Sequence, residues 1–490
     1  MNRPSGPADR AENDTAPSPP APEDPGRPAL NRLVSAGSNQ APVLTLEELR
    51  ALVDTGEIDT VVVAATDIQG RLQGKRLGAR FFLEEALQHG TEGCDYLLAV
   101  DVEMTTVSGY EMSSWTTGYG DIVFVPDLGT LRHIPWQPGT ALVICDLQWP
   151  DGRDVVASPR QILAAQMARL EALGLEAFAG TELEFITFDT GYEEAQLADY
   201  RDLRPSNLFN VDYSLLGTAR VEPLLREIRN AMAGAGMYVE GSKGECNFGQ
   251  HEITFRYDDA MTTCDNHSLY KNGAKEIAAQ HGKSITFMAK YNQLEGSSCH
   301  IHMSLRSAEG DFVLPGEREH GFSTLMEHFI AGQLACLDDF TYFFAPNINS
   351  YKRFVEGSFA PTSLTWGTDN RTCALRVVGH GPSLRVEMRV GGADLNPYLA
   401  TAALIAAGLH GIENKLPMPE ITRGNAYDAG ARSLPTNLRA ARDLLSASQL
   451  AKDAFGADVV RHYVNSADVE LAAFESAVTD WERRRGFERL

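Results

Sequence analysis

Carboxylates, imidazoles and guanidinium groups gather at four places in this chain of 490 residues. In Gly180-Thr181-Glu182-Leu183-Glu184-Phe185-Ile186, strand alternation puts Glu182 and Glu184 on one face and Leu183 and Phe185 on the other. Two such carboxylates repel unless a cation lies between them. The run Gly244-Glu245-Cys246-Asn247-Phe248-Gly249-Gln250-His251-Glu252-Ile253 adds Glu245 and Glu252. Their odd separation sets them on opposite faces of a straight strand, but Gly249 permits a reversal or bulge that returns both to one side. In Ser298-Cys299-His300-Ile301-His302-Met303-Ser304-Leu305, the polar set His300, His302 and Ser304 alternates with an apolar set. Last come Arg353, Arg371 and Arg376, then Arg385-Val386-Glu387-Met388-Arg389, where Arg385, Glu387 and Arg389 share a face.

Five glutamates and a histidine suit a hard divalent cation, Mg²⁺ or Mn²⁺, better than zinc with its Cys/His preference. The five arginines match phosphate and carboxylate, because guanidinium forks bind both anions bidentately. Together these groups predict metal-assisted phosphoryl transfer from a nucleotide to a carboxylate-bearing substrate. No GxxxxGK[ST] loop is present, so the nucleotide is not held by a P-loop.

These groups need a scaffold. Thr45-Leu46-Glu47-Glu48 is a capping box that opens a helix through about Val53. Strands follow at Thr60 to Val63 and, after the turn Asp67-Ile68-Gln69-Gly70, at Arg71 to Leu77. Further strand-like runs at Asp121 to Val125 and Ala141 to Asp146 complete a β-rich domain over residues 43–150. Ser158-Pro159 is a cap and first-turn pair for a helix that Gly174 stops. Strands and helices then alternate irregularly through a larger domain, residues 151–490, without an internal repeat. Residues 1–42, rich in Pro, Ala, Ser and acidic groups, bury too little apolar surface to order themselves and are expected to form a disordered tail.

Composition narrows the field. With 43 Lys+Arg against 66 Asp+Glu the net charge is −23, which argues against a protein that tracks nucleic-acid phosphates. Seven cysteines without a CxxC spacing suggest neither a disulfide framework nor a thiolate zinc site. No apolar run approaches the ~20 residues that span a bilayer and no leader is evident, so a cytoplasmic protein without a membrane partner is expected.

GTELEF, GQHEITF, SSCHIHMSL, NSYKRF, RVEMR and ADLNPYL, in this order, resemble the glutamine synthetase family, class I type, from about residue 45 to Val478-Thr479-Asp480-Trp481-Glu482. The resemblance implies an α+β protein. It would have a β-grasp N-terminal domain and a catalytic domain whose curved antiparallel sheet forms a funnel. It further implies a homo-oligomer of two stacked hexameric rings, active sites between subunits, ATP as co-substrate and two or three Mg²⁺ or Mn²⁺ per site. Matched motif by motif, Glu184, Glu245 and Glu252 would hold one metal and Glu182, His300 and Glu387 another. His302 and Ser304 match positions near ATP, and Gly296, Arg353 and Arg389 match glutamate-binding positions. Arg371, Arg376 and Arg385 match the arginines that stabilise the transferred phosphoryl group, the last two also contacting the nucleotide.

Three departures matter. The Asp-Gly-Ser-Ser motif that helps ammonia-using relatives bind ammonium is absent, the corresponding stretch being Val107-Ser108-Gly109-Tyr110-Glu111-Met112-Ser113-Ser114-Trp115. Phe359, in Glu356-Gly357-Ser358-Phe359-Ala360-Pro361, stands where those relatives carry a glutamate just before Ala-Pro. Glu295 replaces the family's Asn before Gly-Ser. Loss of two anionic groups disfavours ammonium, and Phe offers apolar or cation–π surface instead. The expected reaction joins L-glutamate to a small primary amine, ethanolamine first, as in the γ-glutamyl-amine ligase branch. Tyr213 is a candidate lining residue of the amine pocket. A polyamine ligase and a true ammonia-using glutamine synthetase are the alternatives.

Overall fold

The computed structural model describes residues 44–490, so the expected tail lies outside the described residues. Helix α1 (Leu46–Thr55) begins as its capping box requires: Glu48 N–H donates to Thr45 Oγ1 at 3.2 Å and Thr45 N–H to Glu48 Oε2 at 2.8 Å. Strands β1 (Thr60–Thr66), β2 (Leu72–Gly78), β3 (Thr91–Cys94), β4 (Asp121–Pro126), β5 (Arg132–His133) and β6 (Thr140–Gln148) form one sheet. Its order is β2-β1-β6-β4-β3, with β5 on β6 and a parallel β1–β6 pair at its centre. The β1–β2 turn is fixed by Asp67, whose Oδ1 accepts from the N–H groups of Gln69 and Arg71 at 3.0 and 2.8 Å.

Helix α2 (Pro159–Glu171) starts with Pro in its first turn, as expected, but Ser158 makes no side-chain cap. The second residue of α2 carries more weight. The buried Arg160 donates to Asp127 at 2.6 Å, Asp146 at 2.7 Å and Asp265 at 3.1 Å, joining the first sheet to the helices behind the second.

The chain continues through β7 (Leu175–Phe188), α3 (Glu222–Gly234), β8 (Val239–Gly244), β9 (Gln250–Phe255), β10 (Asp258–Asp259), α4 (Ala260–Gln280), β11 (Ser284–Thr286) and β12 (Cys299–Ser307). Helix α5 (Thr324–Cys336), strands β13 (Trp366–Thr368), β14 (Leu375–Val378) and β15 (Arg385–Met388), and helices α6 (Pro397–Glu413) and α7 (Ala457–Ser476) follow. The nine strands from β7 to β15 form a nearly closed, barrel-like sheet of order β13-β14-β15-β12-β7-β9-β8, with β10 and β11 on β7. All its pairs are antiparallel except β13–β14. The α+β class is as expected from sequence.

Helix α6 is buried almost all round against α5, and glycine permits their close approach: a Cβ on Gly332 would stand 2.1 Å from the Ala407 carbonyl. All seven cysteines are free, and no helix among the described residues is long and apolar enough to cross a membrane.

Candidate active site

Strand register assembles the polar groups in two rows across one face of the second sheet. Lys243 of β8 opposes Glu252 of β9, which opposes Glu184 of β7. Two residues earlier on β7, Glu182 opposes His300 of β12, while His302 opposes Glu387 of β15, and Glu387 opposes Arg376 of β14. The apolar alternates Leu183, Phe185, Ile301, Met303, Val386 and Met388 are buried, which pins the register, because a one-residue slip would turn them toward the site.

The first row closes through a hairpin. Gly249 adopts φ +70°, and a Cβ there would stand 2.6 Å from the Thr187 carbonyl. Glu245 lies just past β8, its N–H donating to the Gln250 carbonyl at 2.9 Å, and so meets Glu252 from the other limb. Oxygens of Glu184, Glu245 and Glu252 fall within 4.8 Å of one another. Glu184 is immobilised by Gln250 Nε2, by the Ser298 N–H and by the Ser298 hydroxyl, at 3.0, 2.7 and 2.7 Å. Burial and then repulsion from the neighbouring glutamates push Glu252 well above the usual carboxylate range. Burial and Glu184 raise Glu245 to about 7, although Lys243 pulls the other way. Three converging carboxylates in such surroundings suit a divalent cation, which would remove the repulsion.

In the second row, one ligand atom each of Glu182, His302 and Glu387 lies within 4.8 Å of the others. His300 Nδ1 is 3.2 Å from Glu182 and 3.5 Å from Glu387. The family resemblance sets His300 with the carboxylates and His302 beside the nucleotide; in the structure both imidazoles face Glu182. His302 Nδ1 accepts from Arg385 Nε at 3.1 Å, so Nε2 carries the proton that it donates to Glu182 at 2.9 Å. Burial raises the pKa of Glu182, but its bonds and charge interactions with the two histidines outweigh that and hold it well below the carboxylate range.

The arginines divide. Arg376 donates to Glu387 at 2.7 Å and also pairs with Asp369. Arg389 pairs with Glu387 and donates to the Arg371 carbonyl at 3.1 Å, leaving the Arg371 side chain exposed. Arg353 is buried, with Nη2 donating to the carbonyls of Arg389, Val390 and Gly391, and burial lowers it to about 10. Gly296 lies directly against it.

Ser304, Tyr213 and Phe359 make no hydrogen bond to the carboxylates among the described residues. Tyr213 is linked indirectly: the Lys243 ammonium pairs with Glu245 and lies 4.8 Å from the centre of the Tyr213 ring. Tyr213 and Phe359 are 73% and 61% exposed and hold left-handed φ values of +53° and +59°. Bulky side chains adopt this conformation at a cost of about 1–2 kcal/mol, so their display is imposed by the surrounding chain. Beside Phe359, the Tyr427 hydroxyl donates to the Ala360 carbonyl at 3.0 Å. Sequence reasoning missed Gln250, Ser298, Lys243 and Asp369. Gln250 and Ser298 sit inside quoted motifs, and Lys243 and Asp369 lie two residues before Glu245 and Arg371, which was the local signal for them.

The description "Glutamine synthetase, catalytic domain" matches residues 156–486. A γ-glutamylethanolamide synthetase, GlnA4 of Streptomyces coelicolor, is 62% identical over 453 residues, 92% of this chain and 98% of that protein. A glutamate–isopropylamine ligase from Pseudomonas sp is 37% identical, over 89% and 97% of the two chains. A solved GmaS/ADP complex superposes with a TM-score of 0.80 at 28% identity, over 90% of this chain and 99% of that one.

Proposed function

The chain belongs to the glutamine synthetase family and is an enzyme that forms carbon–nitrogen bonds, and from that premise we propose that it ligates L-glutamate to ethanolamine at the expense of ATP. The observation that carries this reading is the pair of carboxylate rows on one sheet face, closed by arginines at Glu387, with exposed Asp212 beside Glu245 and the exposed Tyr213 ring against Lys243. The name and 62% identity of the Streptomyces relative support the choice of amine.

In this reading Glu184, Glu245 and Glu252 hold one divalent cation, and Glu182, Glu387 and one or both of His300 and His302 hold a second. Such cations, when bound, neutralise phosphate charge and polarise the transferring group. Arg376, Arg385 and Arg371 border the nucleotide and the phosphoryl oxygens, while Ser304 lies on the nucleotide side. Gly296, Arg353 and Arg389 shape the glutamate end. A γ-carboxylate oxygen of glutamate takes the γ-phosphoryl group and ADP leaves. The amine nitrogen then attacks the acyl carbon, phosphate departs with the C–O bond pair, and the nitrogen gives up a proton. Tyr213 and Phe359 present apolar and π surface to the amine's carbon substituent. We read the enzyme as a cytoplasmic homo-oligomer of two stacked hexameric rings. Mass spectrometry of a reaction with ATP, Mg²⁺, L-glutamate and ethanolamine should show γ-glutamylethanolamide in amounts equal to the ADP formed. ADP release without this product would refute the assignment.

A further inference from the structure

A cavity of about 310 Å³ lies apart from the carboxylate rows, between the β1–β2 turn, α4 and α7. Lys271 and Lys275, one helical turn apart on α4, both face it. Their ammonium groups stand over the same Phe287 ring, 5.4 and 5.7 Å from its centre. Lys271 donates one hydrogen bond, to the Ala393 carbonyl at 2.8 Å, and has no ion-pair partner among the described residues. Lys275 has neither a hydrogen-bond nor an ion-pair partner among them. The remaining cation of the wall, Arg71, is already committed to Asp67 at 2.7 Å and the Val102 carbonyl at 2.6 Å.

Two like charges facing one chamber raise each other's free energy. Burial and the charge of Lys275 accordingly push Lys271 down to about 8. Of the wall carboxylates, Asp394 opposes part of that fall, and its buried Oδ1 has no hydrogen-bond partner among the described residues. Asp394 Oδ2 is occupied by Ser350 and Asn347 at 2.6 and 2.9 Å, and Asp101 lies close enough to Glu470 to raise the latter's pKa. The space around the lysines is lined by Phe287, Val100 and Leu399, which suits carbon better than a fully hydrated ion.

We propose that this cavity binds a small organic carboxylate, its oxygens between Lys271 and Lys275 and its carbon portion against Phe287. The occupied wall leads to the glutamate end of the active site. Ala393 N–H donates to the Ser297 carbonyl at 3.0 Å, next to Gly296, and Asp394 holds Ser350, which opens the turn carrying Arg353. An occupant therefore changes KM for glutamate more than kcat. This coupling rests on the reading of Gly296 and Arg353 given above, whereas the binding claim does not.

Calorimetric titration of acetate, succinate and inorganic phosphate into the full chain, without nucleotide or divalent metal, separates the possibilities. The expected result is one carboxylate per chain, bound at least tenfold more weakly by Lys275→Gln and equally by Arg389→Ala. Lys271→Met should behave like Lys275→Gln; if it fails to fold, Lys275→Gln still decides, because its side chain holds nothing in place. No carboxylate binding, phosphate binding alone, or a loss in Arg389→Ala instead of Lys275→Gln would each overturn the proposal.

Discussion

A Cβ on Gly296 would stand 2.5 Å from Cγ of Arg353, so these two residues pack in a way that excludes any side chain at position 296. The same Cβ would lie 2.6 Å from the Ala289 carbonyl, leaving neither neighbour an easy retreat. Gly296→Ala should therefore displace Arg353, at a cost of about 1–3 kcal/mol in stability, and raise KM for glutamate roughly tenfold or more. Steady-state kinetics with varied glutamate tests this; an unchanged KM would detach Arg353 from the substrate.

Repulsion among Glu184, Glu245 and Glu252 makes the metal-free protein poorer in stability than the loaded one. Adding Mg²⁺ to chelator-treated protein should raise Tm, with about 2.7 kcal/mol gained at a hundredfold excess over Kd. In Glu252→Gln, which removes one of the three carboxylate ligands, that gain should shrink while the metal-free Tm holds or rises. Equal gains in both proteins would place the cation elsewhere.

Arg160 offsets three aspartates at once, and its removal leaves Asp265 buried beside only Arg132 and Tyr398. Arg160→Met should cost about 3–5 kcal/mol in denaturant unfolding. Arg461→Ala, which breaks two exposed pairs, should leave the denaturant midpoint nearly unchanged.

His462 is buried between the rings of Tyr110 and Tyr463, and burial lowers its pKa to about 4. The unfolded chain takes up a proton here below about pH 6.5 while the folded chain stays neutral. Stability is therefore lost as pH falls from about 6.5 to 4, by up to about 1.4 kcal/mol per pH unit from this one site. His462→Leu should flatten that limb of a pH–stability curve, whatever its effect at pH 8.

Much of the site was legible because its residues alternate with core residues on single strands. Leu183 and Phe185 betray the face of Glu182 and Glu184, and Ile301 and Met303 that of His300 and His302. Gly249 marked the reversal that joins Glu245 to Glu252. Pairing between distant strands was not legible: nothing near His302 indicates that Glu387, rather than Glu182, lies opposite it. The parallel β1–β6 pair was hidden for the same reason. Lys243 pairs with Glu245 two residues on, but its place opposite Glu252 and against the Tyr213 ring comes from β9 and the fold and was not legible.

The central claim, that an organic amine and not ammonia is the nucleophile, is tested most directly by kcat/KM for ethanolamine and for ammonium at saturating ATP, Mg²⁺ and L-glutamate. Exposed Phe359 and Tyr213 predict a preference for ethanolamine of at least about a hundredfold, equivalent to roughly 2.7 kcal/mol. That preference should fall in Phe359→Glu. A wild-type enzyme that uses ammonium as well as or better than ethanolamine would contradict the account.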